Sequence, residues 1–117
     1  MATILVIDDD PTIVEAMRAA LEIQHYTVIG TVDADMAPQL AHTYHPHLIL
    51  LDYLLSGSNG TTVIEGLKKD PLTAKIPLIL LSAHPKAREE AKRMGATAFI
   101  PKPFDLSLLY TMIRKYT

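Results

Sequence analysis

Short runs of large apolar residues punctuate this chain, and each ends abruptly at polar residues. They are Thr3-Ile4-Leu5-Val6-Ile7, Tyr26-Thr27-Val28-Ile29-Gly30, Leu48-Ile49-Leu50-Leu51, Ile76-Pro77-Leu78-Ile79-Leu80-Leu81 and Ala98-Phe99-Ile100. Runs this short, without apolar–polar alternation, suit strands covered on both faces, as in a parallel sheet between helices. The segments between them carry helical spacing. Ile13, Met17, Ala20 and Leu21 predict an amphipathic helix from Pro11 to about Gln24, with Asp10 as N-cap. Asp33 to Tyr44 is a weaker helical stretch starting near Met36, because Pro38 is tolerated only in a first turn. A third helix runs from about Thr61 to Lys69, where Gly66 costs about 1 kcal/mol against alanine and Asp70-Pro71 ends it. Pro85 to Met94 is a fourth, stopped by Gly95. Asp105 or Ser107 opens the last, through Leu108, Leu109, Met112 and Ile113.

Five strands alternating with five helices predict an α/β fold with a parallel sheet and right-handed crossovers. A length of 117 residues makes residues 1–117 one domain, with a real core but no room for two. The 49% hydrophobic content excludes a disordered chain, and no apolar run reaches membrane-spanning length. Ile4–Ile7 is interrupted by Asp8, so no signal-peptide core is present. The lack of cysteine removes disulfide frameworks and thiolate zinc sites, and fits a cytoplasmic protein. A net charge of −2 argues against direct nucleic-acid binding by this domain.

The polar residues that end the strands then share one edge of the sheet, the edge where open α/β sheets bind ligands. Asp52 stands there after the Leu48–Leu51 run, ahead of a loop over Tyr53–Gly60. Asp8 and Asp9 follow the first strand; with Asp52 they form a carboxylate cluster that repels itself and raises at least one pKa. Mg²⁺, which takes one or two carboxylates with water and phosphate oxygens, relieves that repulsion. The macrodipole favours acids at a helix start and accounts for Asp10, but not for three acids directly after an apolar strand. Lys102, held between two prolines, could pair with Asp52 and then with a phosphoryl oxygen; Ser82 offers a hydroxyl to the same oxygens. Alone, each is an ordinary surface or cap residue, and only the ordered set is specific. His42, His45 and His47 match no standard metal motif, are broken by Pro46, and read as a solvated helix end.

These residues resemble the receiver domain of two-component response regulators. The resemblance rests on Asp8-Asp9, Leu50-Leu51-Asp52 with Gly57 and Gly60, Ser82-Ala83, Gly95-Ala96, Phe99 and Lys102-Pro103-Phe104, and it spans the chain. It implies a flavodoxin-like, doubly wound fold of strand order 2-1-3-4-5. It implies Asp52 as phosphoacceptor, with Asp8, Asp9, Asp52 and the Leu54 backbone carbonyl holding Mg²⁺. Ser82 and Lys102 would grip the phosphoryl group, Ser82 and Phe99 would be the switch pair, and Leu54 and His84 would tune acyl-phosphate lifetime. The implied partners are a histidine kinase or phosphotransfer protein, and a downstream protein or second copy on the face of the fourth helix, fifth strand and fifth helix. Neither nucleic acid nor membrane is implied.

Ser56 stands where the family usually has proline, and Asn59 where an acid is common. The spacing from Ser82 to Lys102 is shorter than usual for the family, which leaves the length of the fourth helix open. The competing reading is an aspartyl-phosphate phosphohydrolase of the haloacid dehalogenase type, which wants a second acid two residues past the nucleophile, where this chain has Leu54. A flavodoxin-like cofactor carrier lacks its phosphate-cradling loop after the first strand. The intact acid–hydroxyl–lysine set argues against a phosphorylation-independent interaction module.

Overall fold

The computed structural model describes residues 2–52, 54–55, 58–84 and 86–117, with positions 54, 55 and 58–61 described by their backbone alone. Strands β1 (Thr3–Ile7), β2 (Thr27–Thr31), β3 (Leu48–Asp52), β4 (Leu78–Ser82) and β5 (Ala98–Pro101) form one sheet. They alternate with helices α1 (Pro11–Ile23), α2 (Ala37–Tyr44), α3 (Gly60–Lys69), α4 (Ala87–Met94) and α5 (Leu106–Tyr116). The order is β2-β1-β3-β4-β5, and every pairing is parallel. This is the doubly wound, flavodoxin-like architecture that the alternation and the resemblance imply.

Side chains of period two divide the core between the sheet's faces. Leu5, Ile7, Ile49, Leu51, Leu78 and Leu80 pack under α2, α3 and α4 through Ala37, Ala41, Val63, Ile64, Leu67 and Ala91. Ile4, Val6, Leu48, Leu50, Ile79 and Leu81 pack under α1 and α5 through Met17, Leu21, Leu109 and Ile113. β3 lies at the centre, and Leu48, Leu50 and Leu51 are wholly buried. Truncating any of them to alanine would cost about 2–5 kcal/mol. Asp52 is thus placed by a central strand buried on both faces.

Differences from the expected elements have local causes. β2 begins at Thr27 because the Tyr26 N–H is spent on the Leu21 carbonyl at the end of α1. β4 begins at Leu78, after Pro77, which has no N–H to donate to a ladder. A short 3₁₀ turn over Ala34–Met36, capped by Asp33, precedes α2, and Pro38 sits in the first turn of α2. α1 buries Val14, Met17 and Leu21 and leaves Ile13 exposed; α5 buries Leu109 and Ile113 and leaves Leu108 exposed. α4 is two turns long and ends at Gly95, whose φ of 90° is the left-handed conformation glycine adopts without strain.

The expected loop after Asp52 contains a small antiparallel pair, Leu54–Leu55 with Ser58–Asn59, which lets main-chain groups of that reversal satisfy one another. Tyr53, Ser56, Gly57 and Pro85 lie outside the described residues. Among the described residues, no helix is long and apolar enough to cross a membrane.

Candidate functional site

The carboxyl edge of the sheet gathers the strand-end residues. The Asp8 main-chain N–H donates to the Thr31 carbonyl at 3.2 Å, which carries β1 pairing one step past Ile7. The side chain then turns back, and Asp8 Oδ1 accepts from the Asp10 N–H at 3.0 Å. Asp10 is the α1 N-cap, accepting from the Thr12 N–H at 2.9 Å. The acidic run is thereby divided. Asp10 serves the helix, while carboxylate oxygens of Asp8, Asp9 and Asp52 lie within 4.8 Å of one another. Among the described residues this is the one cluster of that kind.

Lys102 enters from the end of β5. Its main-chain N–H donates to the Ser82 carbonyl at 2.9 Å, tying the ends of β4 and β5 together. Its ammonium donates to Asp52 Oδ1 at 3.0 Å and lies 3.8 Å from Asp8 Oδ2. Ser82 is buried at the end of β4, where Leu81 is the register partner of Asp52, and Ser82 that of Pro101. Its Oγ accepts from the His84 N–H at 2.9 Å. The strands thus bring acids, hydroxyl and lysine to one edge.

Burial pushes the Asp8 carboxyl above its ordinary range; the Asp10 N–H and the Lys102 charge oppose that rise, while Asp52 and Asp9 add to it. Burial likewise raises Asp52, against the hydrogen bond and charge of Lys102 and with the repulsion of Asp9. Both carboxyls are therefore destabilised as anions even with one cation already present. A further cation, or a group that brings one, would relieve that repulsion.

Phe99, in register with Leu80, is half-buried against the α2–α4 side of the core. The Arg88 guanidinium, in the first turn of α4, lies 5.0 Å from its ring centroid. Beside the ring is a hollow of about 270 Å³ lined by Arg88, Ala91, Lys92, Phe99 and Met112 among others. The Arg88 contact had no local sequence signal, because a cation and a ring eleven residues apart meet only when α4 packs on β5. Of Leu54 only the backbone is described, so its side chain lies outside the site's known geometry.

The histidines have other employment. His42 Nδ1 lies 2.6 Å from Asp70 Oδ2, joining the last turn of α2 to the turn after α3 and holding the Asp70 carboxyl below its usual range. His47 Nδ1 accepts from the Thr3 N–H at 3.0 Å, and His45 closes α2 in the left-handed conformation.

A doubly wound parallel sheet with buried acids, a hydroxyl and a lysine at its carboxyl edge defines a class of aspartate-centred α/β proteins. The family model of the response regulator receiver domain matches residues 4–114, and the chain belongs to that family. It is 35% identical over 116 residues to the DNA-binding dual master transcriptional regulator RpaA of Synechocystis sp., covering 97% of this chain and 48% of RpaA. It is 36% identical over 118 residues to the response regulator PleD of Caulobacter vibrioides, covering 99% of this chain and 26% of PleD. The chain therefore spans about half the length of the first of these relatives and about a quarter of the second. Vibrio cholerae chemotaxis protein CheY4 shares its fold, with a TM-score of 0.92 at 23% identity, covering 100% of this chain and 99% of CheY4. Receiver domains are signalling modules of two-component systems.

Proposed function

We propose that this chain accepts a phosphoryl group on Asp52 from a phosphohistidine of a histidine kinase or phosphotransfer protein, and passes the signal on through a protein-interaction face. The observation that carries this reading is Asp52 itself, a half-buried carboxylate paired with Lys102 at 3.0 Å and crowded by Asp8 and Asp9. An Asp52 carboxylate oxygen attacks phosphorus, the phosphorus–nitrogen bond breaks, and the imidazole leaves with a proton. Lys102, already beside Asp52, follows the charge onto the transferred phosphoryl oxygens, and the Ser82 hydroxyl donates to another of them.

Asp8, Asp9 and Asp52 fit Mg²⁺ by number, chemistry and spacing, and the Leu54 carbonyl is the further ligand we assign. When bound, the ion neutralises charge on the transferring oxygens. Leu54 and His84 flank the site in sequence and are the positions to which we assign control of acyl-phosphate lifetime. Hydrolytic turnover of small substrates is disfavoured because Leu54 offers no general acid where a phosphohydrolase needs one.

Phosphorylated Asp52 draws Ser82 towards it, and Phe99 with it, altering the face of α4, β5 and α5. That face would take a downstream protein or a second copy. Action in the cytoplasm follows from the same reading. The test is incubation with acetyl phosphate and MgCl₂, read by intact mass. Wild type should gain one phosphoryl mass and Asp52→Asn none; a folded Asp52→Asn protein labelled at the wild-type rate would overturn the assignment.

A further inference from the structure

α2 ends just before β3 opens, and Asp70 follows α3 ahead of β4, so both lie at the amino edge of the sheet, away from Asp52. His42 stands in the last turn of α2 and His45 at its C-cap, and their ring centroids are 6.4 Å apart with the planes tilted by 41°. His42 Nδ1 lies 2.6 Å from Asp70 Oδ2, while Asp70 Oδ1 accepts from the Leu72 N–H at 2.9 Å. His45 closes the helix at a φ of 48°, a conformation that glycine or asparagine adopts at less cost. Two imidazoles and one carboxylate are thus gathered where α2 meets the turn after α3. They are open to water, the His42 side chain being 56% exposed and that of Asp70 28%.

We propose that His42, His45 and Asp70 bind one divalent transition-metal ion of the zinc or copper type, at a site distinct from the oxygen cluster of Asp8, Asp9 and Asp52. The donor set selects the ion, since imidazole suits zinc, copper and nickel whereas carboxylate and water suit magnesium. Ligand atoms held at about 2.0–2.2 Å by a tetrahedral ion lie about 3.4 Å apart, and two imidazoles on it have centroids about 5 Å apart. The His42–Asp70 pair therefore opens by about 0.8 Å and the His45 ring approaches by about 1 Å on binding. Side-chain torsions of exposed residues supply such shifts without moving the backbone. The ion takes the place of the proton between His42 Nδ1 and Asp70 Oδ2, which is released, and water fills the fourth position. It ties the end of α2 to the turn that leads into β4 and touches neither Asp52 nor Lys102.

Calorimetric titration of the untagged chain with ZnCl₂ tests this, in excess MgCl₂, which competes for the oxygen cluster and not for imidazole. Wild type should take up one zinc ion per chain. His42→Asn, His45→Asn and Asp70→Asn should each weaken that binding by at least about tenfold, while Asp8→Asn leaves it intact. Asparagine at position 45 keeps the left-handed helix end, so a loss there reports ligation and not a broken cap. With CuCl₂ in place of zinc, electron paramagnetic resonance should show nitrogen couplings from two imidazoles in wild type and from one in His45→Asn. Absence of zinc uptake by wild type would overturn the proposal. So would zinc affinity unchanged in both histidine variants, or a copper signal without nitrogen couplings.

Discussion

Asp8→Asn isolates the electrostatic strain stored in the acidic cluster. The amide keeps the shape of the side chain and an oxygen to accept the Asp10 N–H, so the turn into α1 survives while one charge is removed. At an effective dielectric of about 20, carboxylate oxygens no more than 4.8 Å apart repel by at least about 3.5 kcal/mol a pair. Lys102, 3.8 Å from Asp8, attracts it by about 4 kcal/mol on the same scale. Two repulsions against one attraction leave roughly 2–3 kcal/mol against ionised Asp8, and burial adds to that side. Solvent near the half-exposed partners reduces the figure, so Asp8→Asn should stabilise the metal-free protein by about 1–2 kcal/mol. For a chain of this length, that raises the melting temperature by about 4–8 °C.

Thermal unfolding in EDTA and in MgCl₂ is the assay. Mg²⁺ at ten times its dissociation constant should stabilise wild type by about 1.4 kcal/mol, or roughly 6 °C, and the variant by less than half of that. The pH dependence has a definite sign. Asp8 and Asp52 are raised in the folded protein, so the native state keeps their protons above the point where the unfolded chain releases them. Their contribution to stability therefore falls as pH rises from the ordinary carboxylate value through the raised folded ones. Asp8→Asn should flatten that decline. A folded variant that melted several degrees below wild type in EDTA would refute the reasoning, since the acids would then be net stabilising through Lys102 and the start of α1.

Phe99→Ala should leave labelling by acetyl phosphate nearly unchanged but weaken phosphorylation-dependent association, measured by sedimentation or pull-down with a cognate partner; loss of labelling in a folded variant would move Phe99 into the chemistry. Gly30→Ala should destabilise by about 1–3 kcal/mol in urea unfolding, because a Cβ there would lie 2.6 Å from Val14 Cγ1. An unchanged midpoint would mean that α1 can shift away from β2. Thr73→Val should cost about 1–2 kcal/mol by the same assay, since the buried Thr73 hydroxyl donates to the Leu67 carbonyl at 2.6 Å and closes the end of α3.

The features legible in the chain were those with short-range causes. Runs such as Leu48–Leu51 declared strands covered on both faces, Asp10-Pro11 and Gly95 marked helix ends, and the break from apolar to acidic after β1 and β3 placed the candidate site. Pro38 located the start of α2 by sterics alone. The strand order came from the family resemblance, because periodicity says which residues are buried and not which strand lies beside which. Tertiary structure decided the rest. Lys102 meets Asp52 across 50 positions because β3, β4 and β5 are held in register by parallel ladders. Ile13 and Leu108 look like core residues at helical spacing, yet the azimuth at which α1 and α5 sit on the sheet leaves both exposed, turning Val14 inward in place of Ile13 and keeping Leu109, but not Leu108, in the core. His47 reads as a solvated residue and is exposed, while the β1–β3 pairing also brings the Thr3 N–H to its ring, a contact no local signal announces. A residue's own preferences act over a few neighbours, whereas which side chain receives a partner depends on packing that closes loops of many residues at once.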